Sequence, residues 1–177
     1  MKIGILSDIH GYPENFKKAV SVLKDCDMLL CAGDILYHGP RNPILQGYNP
    51  QGLIQELEKN TIPMLTARGN CDAEVDLMVL KLPIMSEYIF YEKDGIRFIV
   101  LHGHNADKVR QREIAQIYKA DVIISGHTHI RQLEKYNGTI FINPGSISIP
   151  KGDDIPSAAI YEDGNISFID IRDGSII

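Results

Sequence analysis

Ile3-Gly4-Ile5-Leu6-Ser7-Asp8-Ile9-His10 is an apolar run that stops on an aspartate and a histidine one residue apart. Four later segments repeat the design. Met28 to Ala32 runs into Gly33-Asp34, Pro63 to Ala67 into Arg68-Gly69-Asn70, Phe98 to Leu101 into His102-Gly103-His104, and Val122 to Ser125 into Gly126-His127-Thr128-His129. Each reads as a buried strand with candidate metal ligands at its carboxyl end. Strands that are apolar along their whole length suit a sheet covered on both faces, and in such sheets ligands gather just beyond the carboxyl ends. If the five strands share a sheet layer, Asp8, His10, Asp34, Asn70, His102, His127 and His129 converge on one rim. Seven donors exceed what one ion with open positions needs and suit two ions sharing a ligand.

The 177 residues, 44% of them hydrophobic, are enough for one domain with a substantial core and too few for two. A net charge of −5 argues against a broad electrostatic footprint on a nucleic-acid duplex. No apolar run approaches the roughly 18 residues of a membrane span, and Met1-Lys2 leads straight into a strand rather than a signal peptide. A cytoplasmic protein with no membrane partner is the expectation. Cys26, Cys31 and Cys71 are odd in number and lack CxxC spacing, so neither a disulfide framework nor a zinc knuckle is indicated. Cys26 and Cys31 read as core.

The first two thirds of the chain alternate strands with helices. Pro13 suits a first helical turn, and Phe16, Ala19, Val20 and Leu23 follow at helical spacing. Residues 35–48, with Gly39, Pro40, Pro43 and Gly47, predict a long loop over the rim. Pro50 opens a short helix with Leu53, Ile54 and Leu57 on one face. A third helix is predicted over 107–118, its apolar face made from Val109, Ile114, Ile117 and Tyr118. Asp94-Gly95, Asn137-Gly138 and Asp163-Gly164 are two-residue hairpin signals. A chain that begins α/β and ends in antiparallel strands favours two packed mixed sheets.

Asp8 and His10, like His127 and His129, sit two apart, so in an extended stretch both members of each pair point the same way. Imidazole with carboxylate, amide oxygen and water suits Mn2+, Fe2+ or Zn2+ better than Mg2+. Taken singly, Asp-x-His is most often a turn with a solvated side chain, and Gly-Asp a turn or a helix cap. Joint occurrence at five strand ends changes that balance, since five of the six histidines fall there.

The series Asp8-Ile9-His10, Gly33-Asp34, Gly69-Asn70-Cys71, His102-Gly103-His104 and Gly126-His127-Thr128-His129 resembles that of the calcineurin-like metallophosphoesterases. Residues 33–41, Gly69-Asn70-Cys71-Asp72 and Asn143-Pro144-Gly145-Ser146 are similar to the small, cap-free phosphodiesterases of that superfamily. The resemblance implies an α/β fold: a two-layer sandwich of mixed β-sheets flanked by helices, forming a single phosphoesterase domain over 1–177. It implies two divalent metal ions, Mn2+ first among them. Asp8, His10 and His129 would hold one ion, Asn70, His102 and His127 the other, and Asp34 would bridge. A small phosphodiester would be hydrolysed by a hydroxide derived from water shared between the ions.

Where the wider superfamily has a histidine after the asparagine, this chain has Cys71, a poorer charged donor. His104 is therefore the candidate catalytic residue, supplying a proton or an electrostatic contact, with a hydrogen-bond partner behind the metal ligands as its structural alternative. Otherwise no side chain protonates the leaving group. Cys71 and Arg41 are candidate substrate contacts, with His38 beside Arg41. Arg68 is read as a partner of a nearby carboxylate, and Tyr12, Tyr37 and Tyr48 as walls for an aryl or base group. A phosphomonoesterase with the same metals, or a catalytically silent scaffold module of the same fold, are the alternatives. A nuclease is disfavoured by the missing cap and the acidic charge. Similar proteins include homo-oligomers, and nothing in the composition specifies an interface.

Overall fold

In the computed structural model, which describes residues 1–82 and 86–177, the five apolar runs divide between two sheets instead of sharing one. The first sheet contains β1 (Lys2–Leu6), β2 (Met28–Cys31), β3 (Met64–Thr66), β9 (Ser157–Glu162) and β10 (Asn165–Asp170), in the order β10-β9-β1-β2-β3. The second contains β4 (Tyr88–Lys93), β5 (Ile96–Leu101), β6 (Val122–Ile124), β7 (Arg131–Tyr136) and β8 (Thr139–Pro144), in the order β4-β5-β6-β8-β7. β1, β2 and β3 run parallel, as do β5, β6 and β8, while hairpin partners close the edges antiparallel. All three predicted hairpins are present.

Each sheet is covered on both faces, which is why its central strands are apolar throughout. Ile3, Ile5 and Leu30 of the first sheet meet Phe98, Val100, Val122, Ile124 and Ile142 of the second in the layer between them. Each such side chain, fully removed from water, contributes roughly 1.5–3 kcal/mol. Leu6, Leu29 and Cys31 point outward onto α1 (Pro13–Val22) and α2 (Pro50–Lys59), meeting Phe16, Leu23 and Leu53. Pro opens both helices, and the Asn49 side chain caps α2 by accepting from Gly52 N at 2.9 Å. Cys26 is buried in the same cluster.

α3 (Lys108–Tyr118) covers the outer face of the second sheet and departs from the predicted face. Ile114 and Ala115 are buried, whereas Val109, Ile117 and Tyr118 are exposed. The seam against Ile99, Ile123 and Phe141 therefore uses the small Ala115, and three large apolar residues are left on the solvent side. A 3₁₀ turn at Glu74–Met78 has no counterpart in the sequence reading. Residues 35–49 carry no regular structure, as expected of the long loop. Among the described residues no helix is long and apolar enough to cross a membrane.

Candidate metal centre

The carboxyl ends of β1, β2 and β3 face those of β5 and β6 at one rim of the sandwich, and there the backbone is strained. Asp8, His10, Asp34, His127 and His129 all have φ between 51° and 68°. Left-handed backbone at a residue other than glycine costs of order 1–3 kcal/mol and persists only where the surroundings over-determine it. Main-chain bonds supply part of that determination. Asp8 N donates to Gly33 O at 3.0 Å, His10 N to Asp34 O at 2.9 Å, and Gly11 N to Ile35 O at 2.8 Å, zipping the two loops together. Asp8 Oδ2 accepts from Ser7 Oγ at 2.7 Å and from His127 N at 3.0 Å, which ties the first sheet to the second. The approach is close enough that a Cβ on Gly126 would lie 1.9 Å from Ser7 Oγ and 2.8 Å from Asp8 Oδ2.

Three imidazoles are locked in one tautomer. His10 Nδ1 donates to Tyr37 O, His102 Nδ1 to Ala32 O and His129 Nδ1 to Ile149 O, each at 2.6 Å. A carbonyl can only accept, so Nδ1 carries a proton and Nε2 faces the rim, presenting a lone pair whenever the ring is neutral. His10 Nε2 and His129 Nε2 lie 3.2 Å apart, and Asp8 Oδ1 lies 3.3 Å from the latter and 3.6 Å from the former. Asp8 Oδ1 is buried with no hydrogen-bond partner. Donors about 2.1 Å from a common cation stand roughly 3.0–3.4 Å from one another. Two facing lone pairs beside an orphaned carboxylate oxygen therefore fit a cation site.

A second cluster adjoins it. His102 Nε2 lies 3.1 Å from Asn70 Oδ1 and 3.3 Å from Asp34 Oδ2. Asp34 Oδ2 is also 3.7 Å from His10 Nε2, so this single oxygen faces both clusters. The other oxygen, Oδ1, accepts from Cys71 N at 2.8 Å. The His127 ring stands edge-on to His102 with centroids 5.2 Å apart, on the exposed side. All seven candidate donors thus meet at one rim: Asp8, His10, Asp34, His102 and His129 buried, Asn70 and His127 at the open edge.

The buried carboxylates and imidazoles of the rim shift one another strongly. Burial would raise the Asp8 carboxyl, but His10 and His129 hold it well below the ordinary carboxylate range. Asp34 is likewise lowered by His102 against the effect of burial. Burial alone would lower His102, yet Asp34 and Asp8 raise it to about 9. The raised His102 therefore carries a proton at neutral pH beside the Asp34 carboxylate. His104 and His127 are lowered, by burial and then by the His102 charge.

The remaining predicted residues fall into place less uniformly. His104 lies on the exposed rim, its ring 5.5 Å from His102 and 6.2 Å from His127. Both His102 nitrogens are already committed, so His104 does not orient that ligand by a hydrogen bond. Cys71 Sγ accepts from Asn70 Nδ2 at 3.2 Å and lies under Gly39. Burial and the Asp34 charge push its thiol up to about 12. Arg41 faces solvent, and His38 turns away to Tyr48, with a ring nitrogen 3.3 Å from Tyr48 Oη. Tyr12 is buried with its hydroxyl accepting from Leu45 N, so it supports the loop and does not form a wall; Tyr37 is exposed. Arg68 donates to the main-chain carbonyl of Asp72 at 3.3 Å, not to a carboxylate. Sequence reasoning gave no role to the groups that brace the candidate donors, although Asn143 and Ser146 lie in a motif it singled out. Ser7 holds Asp8 Oδ2, Ser146 Oγ donates to Asp8 O, and Asn143 Nδ2 donates to Gly126 O at 2.7 Å.

With this geometry in view, similarity to known proteins is informative. A family model described as the calcineurin-like phosphoesterase superfamily domain matches residues 1–164. Phosphodiesterase YfcE of Escherichia coli is 34% identical over 181 residues, spanning all of this chain and 96% of that protein. The solved structure of YfcE, described as a phosphoesterase from E. coli, superposes with a TM-score of 0.86 at 33% identity, covering 100% of this chain and 97% of the other. Vps29 from Entamoeba histolytica, 18% identical with a TM-score of 0.70 over 100% of this chain and 96% of its own, shares the fold. A motif series, a two-sheet sandwich and a full-length match that agree in this way show that the chain belongs to the calcineurin-like phosphoesterase superfamily.

Proposed function

We propose that this chain, as one domain over its whole length, is a metal-dependent phosphodiesterase of the cytoplasm. Two divalent cations would work at the rim, one held by Asp8, His10 and His129, the other by Asn70, His102 and His127, with Asp34 Oδ2 between them. The observation that supports this most is the pair of lone-pair nitrogens, His10 Nε2 and His129 Nε2, 3.2 Å apart beside the partnerless Asp8 Oδ1. Such an arrangement is costly without a cation and natural with one. Mixed imidazole, carboxylate and amide donors favour Mn2+, with Zn2+ or Fe2+ next. Three unpaired cysteines suit a reducing compartment.

When bound, the cations would lower the pKa of coordinated water and draw charge from the phosphoryl oxygens. The chain's own residues do the rest. Cys71 N holds Asp34 Oδ1, which keeps Oδ2 aimed between the clusters. The main-chain carbonyls of Tyr37, Ala32 and Ile149 fix the imidazole tautomers. At neutral pH the Cys71 thiol stays protonated and contacts substrate as a weak neutral donor. His104, lowered by burial and by its neighbour, is largely uncharged there and offers contact more than a proton. Departure of the leaving group then depends on its own acidity, and aryl or similarly activated diesters are the fitting substrates. A monoester dianion would want more fixed positive charge than Arg41 on its solvent-facing loop provides.

The test is hydrolysis of an aryl phosphodiester and the matching monoester after metal stripping and add-back of Mn2+, Zn2+ or Mg2+. Diester cleavage restored best by Mn2+ is the expected result. Equal or faster monoester cleavage would favour the phosphatase alternative, and no metal-dependent cleavage of either would remove the enzymatic reading.

A further inference from the structure

Asp72 lies two residues beyond Asn70 and is almost completely buried, yet its carboxylate does not face the rim. It accepts three main-chain hydrogen bonds: from Asp34 N at 2.9 Å and Gly69 N at 2.7 Å on Oδ2, and from Ile35 N at 2.7 Å on Oδ1. The donors belong to two different loops, one leaving β2 and carrying Asp34, the other leaving β3 and carrying Asn70. One buried carboxylate therefore clamps the backbones of both.

Two consequences reach the candidate centre. Asp34 sits at φ 57°, and Asp72 holds both its own amide and the next one, so the strained residue cannot relax without breaking bonds to a buried charge. The turn Gly69–Asp72, closed by Asp72 N donating to Gly69 O at 3.4 Å, is drawn against Asp34. A Cβ on Gly69 would lie 2.1 Å from Asp34 Oδ1, which leaves room only for glycine. The same turn aims Cys71 N at Asp34 Oδ1 and sets Asn70 Oδ1 3.1 Å from His102 Nε2. Asp8, His10 and His129 have further braces of their own in Ser7, Tyr37, Ile149 and Ser146, although main-chain bonds from Asp8, His10 and Gly11 also join their loop to residues 33–35.

Taking the two-cation centre as its premise, we infer that Asp72 is a positioning residue that sets the distance between Asp34 and Asn70 and thereby the affinity of the cation held by Asn70, His102 and His127, with a smaller effect on the Asp8–His10–His129 cation, which shares Asp34 but not Asn70. Groups that orient metal ligands in this way typically change affinity 10–100-fold when replaced. Asp72→Asn keeps the shape but turns a donor toward main-chain N–H groups. Asp72→Glu keeps the charge but displaces it by one methylene.

The experiment is Mn2+ titration of the metal-stripped full-length chain by calorimetry, with electron paramagnetic resonance of the loaded protein. It compares wild type, both Asp72 variants and Leu53→Ala, a buried substitution in α2 that lowers stability without touching the rim. The expected result is two Mn2+ per chain for wild type and Leu53→Ala, with the signal of an exchange-coupled pair. In folded Asp72→Asn or Asp72→Glu, one dissociation constant should rise about 10–100-fold, the other should stay within about threefold, and the coupled signal should fade. Unchanged constants in a folded Asp72 variant would overturn the inference, as would an equal loss in Leu53→Ala. Should wild type take up one Mn2+, the two-cation premise fails. Asp72 is then judged on whether that single constant moves.

Discussion

His102 offers the most quantitative handle on the centre. Its Nε2 points at Asp34 Oδ2 and Asn70 Oδ1, and the neighbouring carboxylates raise its pKa to about 9. A cation can coordinate Nε2 only after the proton leaves. At pH 6.5 that proton is held by all but a small fraction of molecules, and at pH 8 by about nine in ten. The ratio of competent fractions makes apparent affinity rise ~30-fold over that span from this group alone. Mn2+ titration at half-unit intervals, in paired buffers of different ionisation enthalpy, reads both the slope and the protons released. The expected result is a rise of that order with about one proton displaced at pH 7. His102→Gln should flatten the slope as well as weaken binding. Affinity that is level from pH 6.5 to 8 in the wild type, together with a His102→Gln variant that binds as tightly, would refute the placement of His102 among the ligands.

The metal-free chain should show the complementary trend. His102 is raised, so its contribution to stability is complete below about pH 6.5 and lost as pH climbs toward 9; Asp8 and Asp34 are lowered, so theirs is present above about pH 4 and lost only in stronger acid. Thermal melts of the stripped protein should therefore be highest between about pH 4 and 6.5 and fall toward pH 9, and a melting temperature that rises over that alkaline span would contradict the assignment. Gly126→Ala places a methyl against Ser7 Oγ and Asp8 Oδ2. Overpacking of this kind costs about 1–3 kcal/mol, or roughly 2–12 °C in a chain of this size. Calorimetry should show that loss together with weaker Mn2+ binding, and a variant with unchanged stability and metal binding would mean the approach is looser than described. Across aryl diesters of increasing leaving-group pKa, turnover should fall steeply, and His104→Ala should change it less than the roughly 100-fold expected for loss of a general acid. A flat series, or a large His104→Ala effect confined to poor leaving groups, would assign His104 the acid role.

The rim was legible because five apolar runs each end in a ligand type, and strand periodicity plus the carboxyl-end rule needs no tertiary information. The two sheets were legible from the switch between βα units and Asx-Gly hairpins. α3 was misread since Val109, Ile117 and Tyr118 outweigh Ala115 in any hydrophobic pattern, while the sheet beneath selects the small residue that lets the helix approach. Asp72 went unassigned for a related reason. Its partners are main-chain N–H groups at positions 34, 35 and 69, and backbone donors leave no mark in a sequence. The five left-handed residues at the centre were equally silent, because aspartate and histidine carry no glycine-like signal of positive φ.

The most direct measurement is anomalous diffraction at the manganese edge from crystals of the Mn2+-loaded protein. Two peaks about 3.5–4 Å apart should straddle Asp34 Oδ2, one within coordination distance of His10 and His129, the other of Asn70, His102 and His127. A single peak, or none within reach of Asp34, would contradict a shared two-cation centre.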